Sequence, residues 1–263
     1  MRTGAPSPAL LETRALTLTA GARTLVQALN WRVQRGELWC LLGPNGAGKT
    51  SLLHALSGLR RPASGEVLLD GENLRALPPE RLARLRGLMP QQQDDAFSAS
   101  VRDVVLLGRT PWRLSGQWDS RQDLALADAA LQQVGMAGLA TRDVLQLSGG
   151  ERQRVALASL LAQAPPLMLL DEPLSHQDVG RGLALMALLQ TLLERHAVVM
   201  SCHDINLAAC HATHVLLLAG PEDGLYWAGK TADVLSEQRL EQAFRCRFQQ
   251  RDGWFLPLSP ARR

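Results

Sequence analysis

The run LWCLLGPNGAGKT, Leu38 to Thr50, decides the fold. Leu38–Leu42 is continuously apolar, as a strand buried on both faces must be. It runs directly into Gly43, Pro44, Asn45, Gly46, Ala47, Gly48, Lys49 and Thr50, and SLLHALSGL continues with helical spacing. This is the full G-x-x-x-x-G-K-[ST] pattern in the strand–loop–helix setting it requires. The glycines let successive backbone N–H groups curl around phosphate oxygens. Lys49 supplies a point charge for the β- and γ-phosphates, the Thr50 hydroxyl can ligate Mg²⁺, and Ser51 continues the phosphate-binding helix start. A chance match in a chain of this length has odds of roughly one in a hundred.

Working outward, ALTLT (Ala15–Thr19) alternates as a half-exposed strand does, and a second strand is expected at Trp31–Val33. GEVLLDG reads as a strand closed by an Asp-Gly turn. Further buried strands are expected at LMLLD (Leu167–Asp171), AVVMS (Ala197–Ser201) and HVLLL (His214–Leu218). Helical patterns at Gly182–Glu194 and Asp204–Ala212 separate them. The expected class is α/β, with a mainly parallel sheet and an antiparallel β part at the N-terminus. Residues 10–91 and 165–235 form the expected nucleotide-binding core. Residues 92–164 are helix-rich and lack strand runs, which suggests an inserted helical subdomain. A C-terminal extension, 236–263, carries a helix at Arg239–Phe244 and a terminal strand pair.

Composition narrows the partners. The 263 residues are 46% hydrophobic and 20% charged, with a net charge of +3, so a nucleic-acid surface is not indicated. RLARLR (Arg81–Arg86) reads as a solvated helix face. Cys40, Cys202, Cys210 and Cys246 have no metal-ligand spacing, and reduced core thiols in a cytosolic setting are the default. The opening MRTGAPSPALLETR has no apolar h-region, so no signal peptide is expected, and the uncharged run Val155–Leu170 is broken by Pro165-Pro166 and too short to span a bilayer.

Two more stretches carry chemistry. LMLLDEP ends a buried strand in Asp171 and Glu172, at the carboxyl edge where α/β ligands gather. Asp171 is expected to hold the magnesium, through water, and Glu172 to act as general base. LSGGERQRVALA (Leu147–Ala158) opens a helix with Ser148, Gly149 and Gly150, a second phosphate-cradle pattern.

Taken in order, GPNGAGKT, LMPQ, LSGGERQR, LMLLDEP and MSCHD resemble the ATP-binding subunit of an ATP-binding-cassette (ABC) transporter, a P-loop NTPase fold, over about Glu12 to Leu256. The resemblance implies that two copies pair head to tail, with the Ser148–Gly150 helix start of one capping the ATP γ-phosphate held by the other. It implies that Gln91 contacts Mg²⁺ and the attacking water, that His203 contacts the γ-phosphate, and that Asp178 sits at the dimer seam. Two positions depart from the family pattern. Thr13–Thr24 lacks the usual adenine-stacking aromatic, so either base selectivity is weak or Arg23 substitutes, and SHQD (Ser175–Asp178) has Gln177 where leucine is usual. VVLLGRTPW (Val104–Trp112) is similar to the subgroup that powers uptake of iron–siderophores, haem and vitamin B12, and MSCHDINLAACHATHVLLL with RLEQAFRCRF looks most like the vitamin B12 ATPases. The implied partners are a second ATPase subunit, an integral-membrane permease dimer and, indirectly, a periplasmic substrate-binding protein, with no nucleic acid. The implied location is peripheral, on the cytoplasmic face of the inner membrane. Trp112 and Trp118 are either permease contacts or packing of the helical region. A soluble ABC-type ATPase or an exporter subunit is the alternative.

Overall fold

The computed structural model describes residues 9–91, 97–113, 117–175, 177–220 and 224–260, with side chains to 258. Residues 1–8 and His176 of the SHQD stretch lie outside the described residues. Strand β1 (Leu11–Ala20) pairs antiparallel with β2 (Arg23–Val33). β2 is much longer than the expected Trp31–Val33 strand. Ala15 and Ala28 take φ of 45° and 47°, and the accompanying register shifts move apolar residues off strict alternation.

The sheet that positions the site has β3 (Leu38–Leu42) near its centre. β4 (Ser64–Leu69) and β5 (Glu72–Asn73) instead complete the antiparallel sheet, in the order β2-β1-β4-β5. Asp70 and Gly71 both have positive φ in the tight turn between them. The larger sheet runs β10-β9-β3-β8-β7-β6, built from β6 (Arg86–Met89), β7 (Leu167–Leu170), β8 (Ala197–Ser201), β9 (His214–Leu218) and β10 (Tyr226–Lys230). All its pairings are parallel except β9 with β10. The mainly parallel sheet and the N-terminal antiparallel part are therefore as expected. β6 and β10 carry no clear strand pattern, since Gly87 and Gly229 interrupt their short apolar runs.

Every residue of β3, β7 and β8 is buried. Leu38, Cys40 and Leu42 join Met168, Leu170, Val198 and Met200 in one core cluster. Trp39 and Leu41 join Leu167, Leu169 and Val199 in the other. Helix α1 (Lys49–Ser57) packs with the antiparallel sheet on the second cluster, through Leu52, Leu53 and Leu56. Helix α2 (Pro79–Leu85) leads into β6. It buries no residue fully, as a solvated face should, but Arg86 has left the helix and begins β6 with its Nε buried. The run RLARLR is thus a helix face only to Leu85, because Arg86 is drawn into the sheet by pairing with Leu167.

Helices α3 (Val101–Leu106), α4 (Arg121–Gln133) and α5 (Gly149–Gln163) come from the strandless segment and contribute to the first cluster. Helices α6 (Val179–Leu192) and α7 (Ile205–His211) cover the same face. After α8 (Thr231–Val234), the tail forms α9 (Glu237–Phe244) and a hairpin of β11 (Cys246–Arg251) with β12 (Trp254–Pro260), close to expectation. Among the described residues no helix is long and apolar enough to cross a membrane.

One ion pair pins the helical segment. Arg109 Nε lies 2.9 Å from Asp123 Oδ1, with side chains only 12% and 11% exposed. Arg109 also donates to the Ala162 carbonyl at 2.7 Å, tying the turn after α3 to α5. Gly108 permits this approach, because a Cβ there would lie 2.1 Å from the Ser159 oxygen. Trp112 stacks between Arg84 and Arg109 and donates to Gln163 O at 2.8 Å, whereas Trp118 is 93% exposed. Packing therefore accounts for Trp112 but not for Trp118. Hydrogen bonds from Ser120 and Arg109 hold the Asp123 carboxyl down to about 2. That folded value is below the unfolded one, so the stabilisation is present above pH 4 and is lost as pH falls through 2. Asp123→Ala should destabilise by about 3 kcal/mol at pH 7, as loss of one partner of a mostly buried pair does. In urea titrations the gap between wild type and variant should shrink by about 2 kcal/mol from pH 5 to pH 2; a gap independent of pH would refute the pair's role.

Candidate functional site

Because β3 and β7 are apolar throughout and β8 is apolar up to its closing Ser201, polar chemistry begins where they end. Beyond β3, Gly43 and Gly48 take φ of 147° and 101°. A Cβ at Gly43 would sit 2.6 Å from the Leu218 oxygen, and one at Gly48 would sit 2.9 Å from Leu25 Cβ. Glycine is therefore required at both positions by backbone conformation and by space. Gly48 is also the N-cap of α1 with no side-chain cap, so the first helical N–H groups remain free to meet an anion. Lys49 is 6% exposed and its Nζ donates to the carbonyls of Gly43 at 2.7 Å and Pro44 at 3.2 Å. Burial lowers its pKa, and the charges of Glu172 and Asp171 act in the opposite direction. Pro44, Asn45, Gly46 and Ala47 complete the loop, with Ala47 N donating to Pro44 O. Thr50 and Ser51 open α1, and Ser51 Oγ accepts from Arg60 at 2.8 Å.

Beyond β7, Asp171 is 1% exposed. Its Oδ1 accepts from Ser201 Oγ at 2.7 Å, while Oδ2 is buried with no hydrogen-bond partner. An orphaned, buried carboxylate oxygen is a hard donor that suits Mg²⁺, and the Thr50 hydroxyl at the start of α1 is a second oxygen donor of the same kind. Glu172 follows with φ 49°, an unusual backbone for a non-glycine residue that costs of order 1–3 kcal/mol unless its surroundings enforce it. They do. Its backbone N–H donates to Ser201 Oγ at 2.7 Å and its carbonyl accepts from Gln153 Nε2 at 3.0 Å. Its carboxylate accepts from Gln91 Nε2 at 2.8 Å and Ser175 Oγ at 2.9 Å, and Oε1 lies 2.6 Å from His203 Nε2. Burial pushes the Glu172 carboxyl up, but the bonds from His203 and Ser175, with the charges of His203 and Lys49, outweigh it and hold the group ionised.

Gln91, Asp171, Glu172 and His203 thus meet at the carboxyl edge of the parallel sheet, with Lys49 in electrostatic reach of both acids. Asp178 lies to one side as the N-cap of α6, accepting from Arg181 N at 2.9 Å. A cavity of 530 Å³ opens from Glu172 and His203 toward Asp178, lined by Glu172, Ser175, Asp178, His203 and Trp254 and by no residue of the phosphate loop. Ser148, Gly149 and Gly150 stand apart. Ser148 caps α5 in a reciprocal box with Glu151, its side chain and Gly149 are exposed, and nothing lies within 4 Å of a Cβ placed on Gly149. Sequence reasoning missed Ser201, Ser175 and Gln153. Ser201 had a signal, since it is the lone polar residue closing the apolar strand AVVMS. Around the hairpin at Ala20–Arg23 all residues are exposed and none is aromatic.

The family model described as ABC transporter matches residues 26–175. A petrobactin import ATP-binding protein of Bacillus anthracis is 34% identical over 238 residues, covering 89% of this chain and 86% of the relative. A hemin import ATP-binding protein of Deinococcus radiodurans is 42% identical over 221 residues, covering 82% of each. A solved structure described as an inward-facing metal-chelate type ABC transporter superposes with a TM-score of 0.80 at 28% identity, over 95% of this chain and 98% of that one. With its phosphate loop, Ser-Gly-Gly helix start and acidic strand end in that order, the chain is an ATP-binding member of the ABC transporter family.

Proposed function

We propose that this chain hydrolyses ATP to drive import of a metal chelate through a partner permease, working as a pair of identical subunits. The observation that carries the reading is the ionised Glu172 gripped by Gln91, Ser175 and His203, across from the buried Lys49. A carboxylate so held can take a proton from a water attacking the γ-phosphate, while the bond from phosphorus to the bridging oxygen breaks and ADP leaves. His203 and Lys49 offset charge on the transferring phosphoryl group, and Gln91 orients the water. Thr50, Gln91 and Asp171 would hold magnesium, Asp171 through water, and the ion when bound neutralises charge on the phosphate oxygens. Most of the catalysis here is positioning and electrostatics.

The exposed start of α5 supports the paired arrangement. Its glycines offer free N–H groups to solvent, where the γ-phosphate on a second copy can reach them. Asp178 would line the seam. Closing and opening of the pair would move a permease dimer, with the chain held peripherally at the cytoplasmic face of the inner membrane and a periplasmic binding protein delivering cargo. Cargo in this reading is an iron–siderophore, haem or vitamin B12; the petrobactin and hemin import names of the two relatives support import of a metal chelate without choosing among these. The same names favour import over an exporter or a soluble ATPase.

Glu172→Gln should lower ATP turnover by about 10²–10⁴-fold, the range for loss of a general base, while leaving ATP affinity intact. Gel filtration with Mg-ATP should then show a dimer locked by nucleotide; undiminished turnover would remove Glu172 from its role. Ser148→Arg should abolish turnover while single subunits still bind ATP. Mixed dimers of Ser148→Arg with Lys49→Ala should retain at most one working site, and two working sites would contradict the head-to-tail pairing.

A further inference from the structure

Two amide side chains, one in LSGGERQR and one in SHQD, form a short relay to the Glu172 backbone. Gln177 Nε2 donates to Gln153 Oε1 at 3.0 Å, and Gln153 Nε2 donates to the Glu172 carbonyl at 3.0 Å. Both glutamines are partly buried. An isolated Gln153 amide could turn over and set its oxygen against the Glu172 oxygen, two acceptors facing each other. The Glu172 carbonyl can only accept, so Gln153 turns its NH₂ to it and leaves its Oε1 to accept from Gln177 Nε2. The direction of the relay is therefore set from the Glu172 end, and Gln177 supplies the second contact that holds the Gln153 amide.

The grip falls where it has most effect. Glu172 holds a left-handed backbone, φ 49°, and that conformation aims its carboxylate at Gln91, Ser175 and His203. Ser201 fixes the Glu172 N–H, while its carbonyl accepts from the Ser175 N–H at 3.1 Å and from Gln153, the one side chain among the described residues that holds it, so the peptide groups on both sides of the Cα are tied. Rotation of the carbonyl end would swing the carboxylate away from its partners. Gln153 also lies in the first turns of α5, the helix that begins at Ser148 and Gly149. One rigid helix thus carries both the exposed glycines and the hold on this chain's own glutamate.

Resting on the hydrolytic reading above, we infer that Gln153 and Gln177 are positioning residues for Glu172, with Gln177 acting only through Gln153. Space exists to test it, since a 340 Å³ cavity lined by Met89, Gln153, Leu157, Pro173, Gln177 and Leu185 borders the pair and can accept leucine side chains.

ATP turnover would be measured with the full chain as wild type, Gln153→Leu, Gln177→Leu, the double variant and Glu172→Gln. Gln153→Leu should lower kcat about 10–100-fold, the size expected for misplacing a reacting group by about an ångström. Gln177→Leu should lower it about 3–10-fold, because Gln153 then keeps its bond only part of the time. KM for ATP should stay within about twofold in both, since the loss falls on the transition state. The double variant should match Gln153→Leu alone, the mark of one residue acting through another. If Gln153→Leu does not fold, Gln153→Glu, nearly isosteric but without the Nε2 donor, should show the same loss. Unchanged kcat in Gln177→Leu, effects that multiply in the double variant, or losses confined to KM or thermal stability would each overturn the inference while Glu172→Gln remains inactive. Full turnover in Glu172→Gln would instead overturn the hydrolytic reading and this inference with it.

Discussion

Three neighbouring strands, β3, β7 and β8, have no exposed residue, so neither face of the central sheet can present a functional group to a ligand. Everything polar that the chain brings together has to sit at the strand ends. The parallel pairing of these strands puts their carboxyl ends side by side, and that is where the phosphate loop, Asp171-Glu172 and Cys202-His203 emerge. Burial of leucine and valine on two core clusters thereby fixes the address of the site before any catalytic residue is considered. The two covering layers differ in kind, an antiparallel sheet with α1 on one side and helices on the other, but they serve the same constraint.

At that edge the structure resolves an electrostatic problem. Lys49, Asp171 and Glu172 are taken partly or wholly out of water, and for Lys49 and Glu172 this weakens the charged form. Opposite charges and directed hydrogen bonds counter this: Lys49 leans on the loop carbonyls, Asp171 on Ser201, and Glu172 on three side chains at once. Ser201 is the economical element, because a single hydroxyl accepts from the Glu172 backbone and donates to the Asp171 carboxylate. It couples the two acidic residues through the strand between the phosphate loop and β7. The unpartnered Asp171 oxygen stands out against this satisfied background and marks where a cation belongs.

The α5 helix start has the opposite character. Its N-cap is satisfied within its own first turn, and Gly149 is exposed with open space around it. A polar, glycine-led helix end exposed in this way is compatible with a site completed by another molecule, and the apolar surface at Val179 and Leu183 near Asp178 is exposed on the same chain. Farther along, α5 is buried in the core through Val155, Leu157 and Leu160. The helix therefore connects an open end to a fixed interior.

Much of this was legible from residue order alone. Leu38–Leu42, Leu167–Leu170, Ala197–Ser201 and His214–Leu218 announce themselves because full burial demands unbroken apolar runs, and Gly43–Thr50 because phosphate binding constrains residue types at consecutive positions. The length of β2 was hidden by bulges at Ala15 and Ala28, and β6 and β10 were hidden because short strands interrupted by glycine carry no period. Asp171, Glu172, Gln91 and His203 could be named from local motifs, but their meeting at one carboxylate could not. Gln153, Ser175, Gln177 and Ser201 reach Glu172 or its partner through contacts that only strand pairing and helix packing create. Sequence determined which chemistry the chain carries, since local patterns fix residue type and backbone shape. Tertiary structure alone decided which side chains hold the glutamate and which helix end is left open, because both depend on distances between segments remote along the chain.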